Sequence, residues 1–550
     1  MAEYDNQAEK RVRHFRQILL WPLQLMPIRA GSQIQKHWEL LERGGEGHPW
    51  HEVVDEFTGD PTQFQQRHYN EFITFLPYVQ RFLYGEGRVT GNEGESGASS
   101  MRVFRRDDIA GIRLTPQAED APLLLSVAHV DLVFFFDIDI VLLVVEVFAD
   151  DLSLSTVQDV LYRSGRTHPD GWDERGQGIH CMYRSEWLSA DGGVLAVSDF
   201  EQRERYLSFV CKHRAPYVAD HWAFLLRPLV LDHTDEKGAI RYRQIEYNRL
   251  PVMAYLSLDD PTTLSRADFI RLGLVTAAGD YTLPHSDRHV SSFEERYCYD
   301  RYWGTGAEPN TRFMCCGHAL IVVGATGSSI YTDREIGVLA QFRHQHFLLF
   351  LIAHFQKAAL LMFSDRLADA LSKLDIHNIE SVRKFKRIIR QNFEIFLRFT
   401  HRYWFHQLSN QAHSKALFEL CSGHLGTDAL FAEVKEEIRD MSVYLDSDSL
   451  RRQANTVVRL TVVTTFGLIG TIVTGFLGMN LLAAADHPLT DKLIYFLLCL
   501  VAVTWMTVYT IIKSKRLSDF LEALSDERLP SKAKLGALLD VWRSRRRLAK

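Results

Sequence analysis

Two stretches near the C-terminus stand apart from the rest of the chain because they contain no charged residue. They cover 460–480 and 493–512, and each is about 20 residues long. At a rise of about 1.5 Å per residue, a helix of this length crosses a hydrocarbon core of about 30 Å. The pattern therefore predicts two membrane-spanning helices in series.

A third apolar run, 123–148, is interrupted by four acids, Asp131, Asp137, Asp139 and Glu146. A carboxylate at the centre of a bilayer costs about 2.5 to 3.5 kcal/mol on insertion scales. β-branched and aromatic residues also predominate in this run. We therefore expect buried strands here and count two spans, not three.

Basic residues predict the orientation of the two spans. They precede the first span and follow the second: Arg451, Arg452, Arg459, Lys513, Lys515 and Arg516. The connecting stretch 481–491 contains neither Lys nor Arg. The positive-inside rule places both termini in the cytoplasm and this loop outside, as in an integral protein of the inner or plasma membrane if the chain is bacterial.

Ahead of the spans, the pattern changes at about residue 335. Residues 1–334 mix strand-like runs, such as 252–256, with helical patterns and Gly/Pro turns, which predicts a cytosolic α/β domain. Residues 335–426 have few glycines and almost no proline, which predicts a cytosolic helical region with helices at about 336–374 and 379–408.

The remaining boundaries describe a stalk and a membrane part. They are a stalk helix at 427–456, a pore helix at 457–480, an outer loop at 481–492, a second span at 493–512 and a basic cytosolic tail at 513–550. The stalk has a narrow apolar seam formed by Leu430, Val434, Ile438, Met441 and Leu445. This seam favours a bundle between subunits, although a helix packed on its own domain shows the same pattern.

Composition argues against several function classes. A net charge of -6 lacks the basic excess of a nucleic-acid-binding protein. Seven cysteines without framework spacing suit a reducing compartment. No nucleophile–base grouping or cofactor motif is visible, so an enzyme is not expected.

The first span ends in Gly478-Met479-Asn480, and it is entered through Asn455-Thr-Val-Val-Arg-Leu-Thr-Val-Val-Thr-Thr. With the short acid-bearing loop, the basic residues after the second span and the large N-terminal part, this layout resembles the CorA family of magnesium transporters. The resemblance is sharp over about 427–516 and architectural before that. It implies a homopentameric funnel in which five first spans line an axial pore, the second spans lie outside them, and closing depends on cytosolic metal.

The chain departs from the family pattern at three places, which leaves the preferred ion open. Leu477 stands before the tripeptide, where an aromatic residue is usual. Midway along the pore helix, Gly467-Leu-Ile-Gly470 stands where a proline is usual. The outer loop at 485–491 also differs from the usual sequence.

The tripeptide is the predicted ion filter. Mg²⁺ gives up its water reluctantly, so a ring of neutral oxygens that binds the hydrated ion is favoured over one that strips it. Asn480 offers a carboxamide oxygen, Gly478 allows close approach to a backbone carbonyl, and Met479 is expected to pack on neighbouring helices. The alternative is that Gly478 and Asn480 form an ordinary helix C-cap.

Helical steps back from Asn480 predict a pore-lining stripe of Thr471, Leu468, Thr464, Leu460 and Val457. The two threonines can hydrogen-bond to a hydrated ion, and the three aliphatic residues can gate by dewetting. By the family resemblance, Gly478, Asn480, Thr471 and Leu460 occupy matching pore positions. The alternative is ordinary helix packing, with each threonine bonded to its own backbone.

Two groups of acids have candidate roles in attracting or sensing cations. Asp486 and Asp491 lie in the outer loop, where they raise the local cation concentration or are simply solvated. His487 beside them can favour Zn²⁺ or respond to protons.

On the stalk, the candidate regulatory acids are Glu433, Glu436, Glu437 and Asp440, with Asp446 and Asp448 further along. A metal ion bound between subunits would neutralise their repulsion, whereas the alternative is a solvated helix face paired with Lys435 and Arg439.

These patterns predict gated, passive uptake of Mg²⁺, which is both transported and a candidate regulator. The expected partners are further copies of the chain, the lipid bilayer and divalent metal ions, and no nucleic acid. One alternative is a carrier of Zn²⁺, Co²⁺ or Ni²⁺, with or without proton coupling. Another is a membrane-anchored cytosolic sensor or scaffold that does not conduct.

Overall fold

The computed structural model describes most of the chain as far as residue 478 and scattered residues after it. The described residues are 10–28, 36–42, 48–53, 65–85, 99–232, 234–246, 249–279, 283–304, 306, 310–375, 378–478, 488–491, 493–494, 497–498, 501–502, 504–506 and 509. The chain divides into two compact units, Met1–Ile438 and Arg439–Lys550. Each unit is considered separately below.

A mixed sheet of fourteen strands, counted over the described residues, forms the centre of the first unit. The strands are β1 (Arg11–Leu25), β2 (Trp50–Glu52), β3 (Met101–Arg106), β4 (Gly111–Thr115), β5 (Leu123–Phe135), β6 (Ile138–Ser153), β7 (Arg184–Leu188), β8 (Val194–Val197), β9 (Val230–Leu231), β10 (Arg241–Gln244), β11 (Val252–Leu258), β12 (Cys298–Tyr299), β13 (Arg312–Cys315) and β14 (Ala319–Ala325). The main order is β12-β13-β14-β11-β1-β6-β5-β4-β7-β8, with β2 on β3, β3 on β5, and β10 between β1 and β9. Two pairs, β11 with β14 and β9 with β10, are parallel, and the other pairs are antiparallel.

Helices cover the sheet and form the C-terminal part of the described chain. They are α1 (Trp38–Glu42), α2 (Gln66–Thr74), α3 (Pro77–Tyr84), α4 (Leu154–Arg163), α5 (Arg203–His213), α6 (Asp220–Leu226), α7 (Arg266–Leu274), α8 (Asp287–Val290), α9 (Phe293–Tyr297), α10 (Ser329–Thr332), α11 (Val338–Gln341), α12 (Phe347–Ser372), α13 (Ile379–Arg402), α14 (Ala412–Leu425) and α15 (Thr427–Gly478). A π-helical turn, Phe342–His346, joins α11 to α12.

The central strands are covered on both faces. This explains why β6 reads as a nearly continuous run of Val and Leu, since alternation with polar residues is lost when neither face meets water. On one face, Trp21 of β1 meets Trp222 of α6 edge-on at 6.0 Å. On the other face, Phe355 of α12 stacks on Phe135 of β5 at 3.8 Å. The hydrophobic core therefore lies in two layers around β1, β5 and β6.

One described helix, Val338–Ser372, is long and apolar enough to cross a membrane by length and composition. However, 78% of its most apolar stretch is buried within the chain, where α12 packs on β1 and β6. A core helix of a sheet domain has the same composition, because it too is surrounded by apolar side chains. A shorter apolar helical segment, Thr456–Leu468, lies within α15.

The structure confirms the strand prediction for the acid-bearing apolar run and corrects the helical prediction. The run 123–148 forms β5 and β6, as expected. The helix predicted at about 379–408 ends at Arg402, and a separate helix, α14, follows before α15 begins. The helical region thus contains a helix that the pattern did not predict.

The stalk seam is buried within a single chain, at least at its centre. Val434 is fully buried and Ile438 is 2% exposed, and both belong to the first unit. Nearby, Phe431 stacks on Trp404 at 4.2 Å. The preference for an intersubunit bundle was therefore wrong at these two positions, because a helix packed on its own domain presents the same narrow seam.

Candidate functional site

The predicted pore stripe lies on the C-terminal half of α15. Spacings of three and four residues place Val457, Leu460, Thr464, Leu468 and Thr471 within an arc of about 80° on the helix surface. The three aliphatic side chains are each 62% exposed, and both threonines are exposed. The structure thus brings these five residues onto one face and leaves that face uncovered in the single chain.

On the opposite side of the same helix, one residue is buried. Val462 points away from the stripe and is only 4% exposed. Large apolar side chains after residue 488 are also exposed, each by 54–77%: Leu489, Leu493, Ile494, Leu497, Leu498, Val501, Trp505 and Met506. The described part of the second unit therefore presents two apolar surfaces, one on each predicted span.

The two threonines of the stripe donate their hydroxyl hydrogens to backbone carbonyls of α15. The hydroxyl of Thr464 donates to the carbonyl of Leu460 at 3.0 Å, and that of Thr471 donates to the carbonyl of Gly467 at 2.9 Å. This is the backbone bonding expected of threonine in an apolar helix. Each hydroxyl oxygen still has lone pairs, so on the exposed face both threonines act as acceptors.

The predicted filter lies at the limit of the described chain. Gly478 is the last residue of α15, it is exposed, and a Cβ built on it would meet no other atom within 4 Å. Met479, Asn480 and the outer-loop acid Asp486 lie outside the described residues. Asp491 is described; it is helical and half-buried.

The candidate regulatory acids are distributed along α15. Glu433, Glu436 and Asp440 are exposed, and Glu437 is half-buried. Within the part of the chain that the structure describes, no three His, Cys, Asp or Glu side chains are grouped so that they could hold a metal ion.

A buried cluster of charged side chains lies on the α12 face of the sheet. Cross-strand pairing sets His129 of β5 opposite Glu146 of β6, and Asp131 follows on the same face of β5. The imidazole Nε2 of His129 lies 2.6 Å from Glu146 Oε2. Its Nδ1 lies 3.0 Å from Asp131 Oδ2, an ion-pair distance without the alignment of a hydrogen bond. One histidine thus bridges two buried carboxylates.

Three arginines complete this cluster. Arg16 of β1, which is 8% exposed, pairs with Glu146, and Arg343 of the π-helical turn reaches the same carboxylate at 2.8 Å. Arg105 of β3 pairs with Asp131 at 2.7 Å. The cluster therefore ties four strands to the start of the helical region through charge-assisted bonds.

The pKa values in the cluster follow from burial and from these partners. Burial alone lowers the pKa of His129, but attraction to Asp131 and Glu146 outweighs it and raises that pKa to about 9. Burial raises the pKa of Glu146, but His129 and the two neighbouring arginines reverse the effect and hold it well below its ordinary value. His129, Asp131 and Glu146 are therefore charged at neutral pH, and each is paired with a charged side chain of the protein.

The other two acids of the run are also paired. Asp137 binds Arg402 at 3.0 Å, and Asp139 binds Arg366. The sequence indicated buried strands but not these partners, because the arginines lie more than two hundred residues away along the chain. No signal in the local pattern identifies them.

The exposed stripe and the buried cluster differ in what they can do. The cluster brings three arginines and one histidine to two buried carboxylates, and this dense pairing is typical of a structural network. The stripe of α15 presents exposed aliphatic side chains and hydroxyl oxygens that can accept hydrogen bonds. Comparison of the chain with protein-family models, with curated proteins and with solved structures found no match.

Proposed function

We propose that this chain is a subunit of a gated, passive pathway for uptake of divalent metal cations, with Mg²⁺ as the transported ion. The proposal includes two membrane spans, cytoplasmic termini and a CorA-like homopentamer whose pore is lined by α15. The observation that carries it is the exposed stripe from Val457 to Thr471, on a helix that ends at Gly478 and is followed by Met479-Asn480.

The exposure of the stripe supports association with further copies. Burying one large aliphatic side chain contributes about 1.5–3 kcal/mol, so three of them on one helix face favour a partner or a constriction over open water. The apolar residues exposed after position 488 support contact with lipid for the second span. Both surfaces are accounted for by a ring of first spans with second spans outside it.

The chemistry of the stripe suits a hydrated cation. Water bound to Mg²⁺ turns its hydrogens outward, so the pore wall must offer acceptors and no strong donors. Thr464 and Thr471 meet this condition because their own hydrogens are already used on the helix. Leu468 lies between the two threonines on the stripe, and Leu460 lies one turn before Thr464. Both leucines can close the pore by dewetting.

The driving force requires no nucleotide hydrolysis. A membrane potential contributes about 2.3 kcal/mol per charge per 100 mV, or about 4.6 kcal/mol for a divalent cation. An interior-negative membrane therefore drives uptake once the pore opens. A gate is required because unregulated entry would dissipate the gradient.

Flux in liposomes tests this function. The full-length protein is reconstituted with a magnesium-sensitive dye inside and a potassium diffusion potential, negative inside. We expect Mg²⁺ uptake that increases with the potential and proceeds without a pH gradient; protein-free liposomes are the control. Zn²⁺ uptake that depends on a pH gradient would support the transition-metal alternative, and absence of any cation flux would support a sensor or scaffold.

A further inference from the structure

A cleft of about 890 Å³ opens in the first unit between α3 and the segment that follows α13. This volume is within the range of about 300–1,000 Å³ in which proteins bind small molecules. Six of the lining residues carry the argument: Tyr78, Arg81, His401, Arg402, Trp404 and His406. None of the residues that line the cleft belongs to the buried charged cluster or to α15, although Trp404 stacks on Phe431 at the start of α15.

The lining of the cleft is basic. It contains two arginines and two histidines, and no carboxylate lines it among the described residues. Arg81 is exposed and has no ion pair within the described part of the chain. Arg402 pairs with Asp137 through one terminal nitrogen at 3.0 Å, and its side chain remains 53% exposed, so other N–H groups are left for a ligand.

The lining is also aromatic. Tyr78 is 40% exposed and packs against Phe405 with ring centroids 5.6 Å apart, so one side of an anchored ring remains accessible. Trp404 is nine-tenths buried and contributes to the wall of the cleft. The aromatic part of the lining therefore offers the exposed ring of Tyr78 as a stacking surface.

We propose that this cleft binds a nucleoside phosphate. Arg81 and Arg402 bind the phosphate oxygens, because guanidinium groups match phosphate geometry and retain their charge. The base stacks on Tyr78, as bases do on exposed aromatic side chains. The histidines at 401 and 406 add polar contacts at the rim.

Calorimetric titration of the full-length protein in detergent tests the site. ATP is the probe, and EDTA is present so that divalent cations contribute no heat. We expect saturable binding that Arg81→Gln weakens by about tenfold or more, since a hydrogen bond to a charged group contributes about 1.5–3 kcal/mol. Tyr78→Ala should weaken the binding of ATP but not that of inorganic tripolyphosphate.

Two controls make the titration decisive. Arg203→Gln removes an exposed arginine outside the cleft and should leave ATP binding unchanged, and circular dichroism confirms that each variant is folded. Three results would overturn the proposal: no heat with ATP at millimolar concentration, equal affinity for ATP and tripolyphosphate, or equal weakening by Arg81→Gln and Arg203→Gln. Transport activity is not read out, so the result is independent of the proposed function.

Discussion

Asn480→Ala is expected to abolish Mg²⁺ flux in liposomes while leaving assembly and membrane insertion intact. In a pentamer the substitution removes five carboxamide acceptors from the outer mouth, where the hydrated ion is bound first. At about 1 kcal/mol for each lost hydrogen bond, the barrier rises by about 5 kcal/mol and flux falls by about a thousandfold or more. The measurement is initial Mg²⁺ uptake per reconstituted oligomer.

Asn70→Ala is the matched control for this prediction. It removes the same carboxamide group from α2, in the first unit and outside both predicted spans. Uptake by this variant should equal that of the parent. Full uptake by Asn480→Ala would show that the tripeptide is a helix C-cap and would contradict its proposed role as the ion filter.

Glu146→Ala is expected to lower the free energy of unfolding by about 3–5 kcal/mol at pH 7. The substitution leaves Arg16 buried without its carboxylate and deprives His129 and Arg343 of a shared partner. Removing one partner of a buried ion pair is far more destabilising than the pair itself is stabilising, because the remaining charge stays desolvated. Urea unfolding of the full-length protein in detergent, followed by tryptophan fluorescence, measures the difference.

The control for Glu146→Ala is Glu294→Ala. Glu294 forms an exposed pair with Arg266 at 2.7 Å, and loss of such a surface pair should change the stability by less than about 1 kcal/mol. Equal losses for the two variants would contradict the structural role of the cluster.

The loss of stability caused by Glu146→Ala should be smaller at pH 10 than at pH 7. The raised pKa of His129 gives the parent stability that is fully present below the ordinary value of 6.5 and is lost as the pH rises through about 9.

The two central strands β5 and β6 were predicted from the sequence, because burial on both faces selects a nearly continuous run of apolar residues. The run 123–148 has strand-forming residues, and its acids argue against a span, so the local pattern was sufficient to predict strands. The partners of those acids were not predictable. Arg16, Arg105 and Arg343 come from three separate parts of the chain. Strand register brings Arg16 to Glu146 and Arg105 to Asp131, whereas Arg343 reaches Glu146 from the π-helical turn that packs on the sheet.

The break between α13 and α14 had no sequence signal. Residues 403–411 contain neither proline nor glycine, which are the usual indications that a helix ends. The break is stabilised by tertiary contacts: Trp404 is buried, and Gln356 of α12 donates to the carbonyl of Tyr403 at 3.0 Å. Such contacts override local helix preference and can be seen only in the folded chain.

The candidate pore face was predicted by helical spacing counted back from Asn480 and by the family resemblance. Intervals of three and four residues place Val457 and Thr471 on one side of any helix, and α15 is helical over these positions. What faces that stripe depends on further copies of the chain and on lipid. The tripeptide and the pentamer therefore remain proposals that rest on the family resemblance.

The central claim is that copies of α15 surround a water-filled axis and present acceptors to a hydrated divalent cation. A single-particle map of the full-length protein in lipid nanodiscs tests it most directly. The account predicts five subunits around a central opening, with Leu460, Thr464 and Thr471 facing that opening and density for an ion beside Asn480. A particle with one subunit, or a map in which the stripe faces lipid, would contradict it.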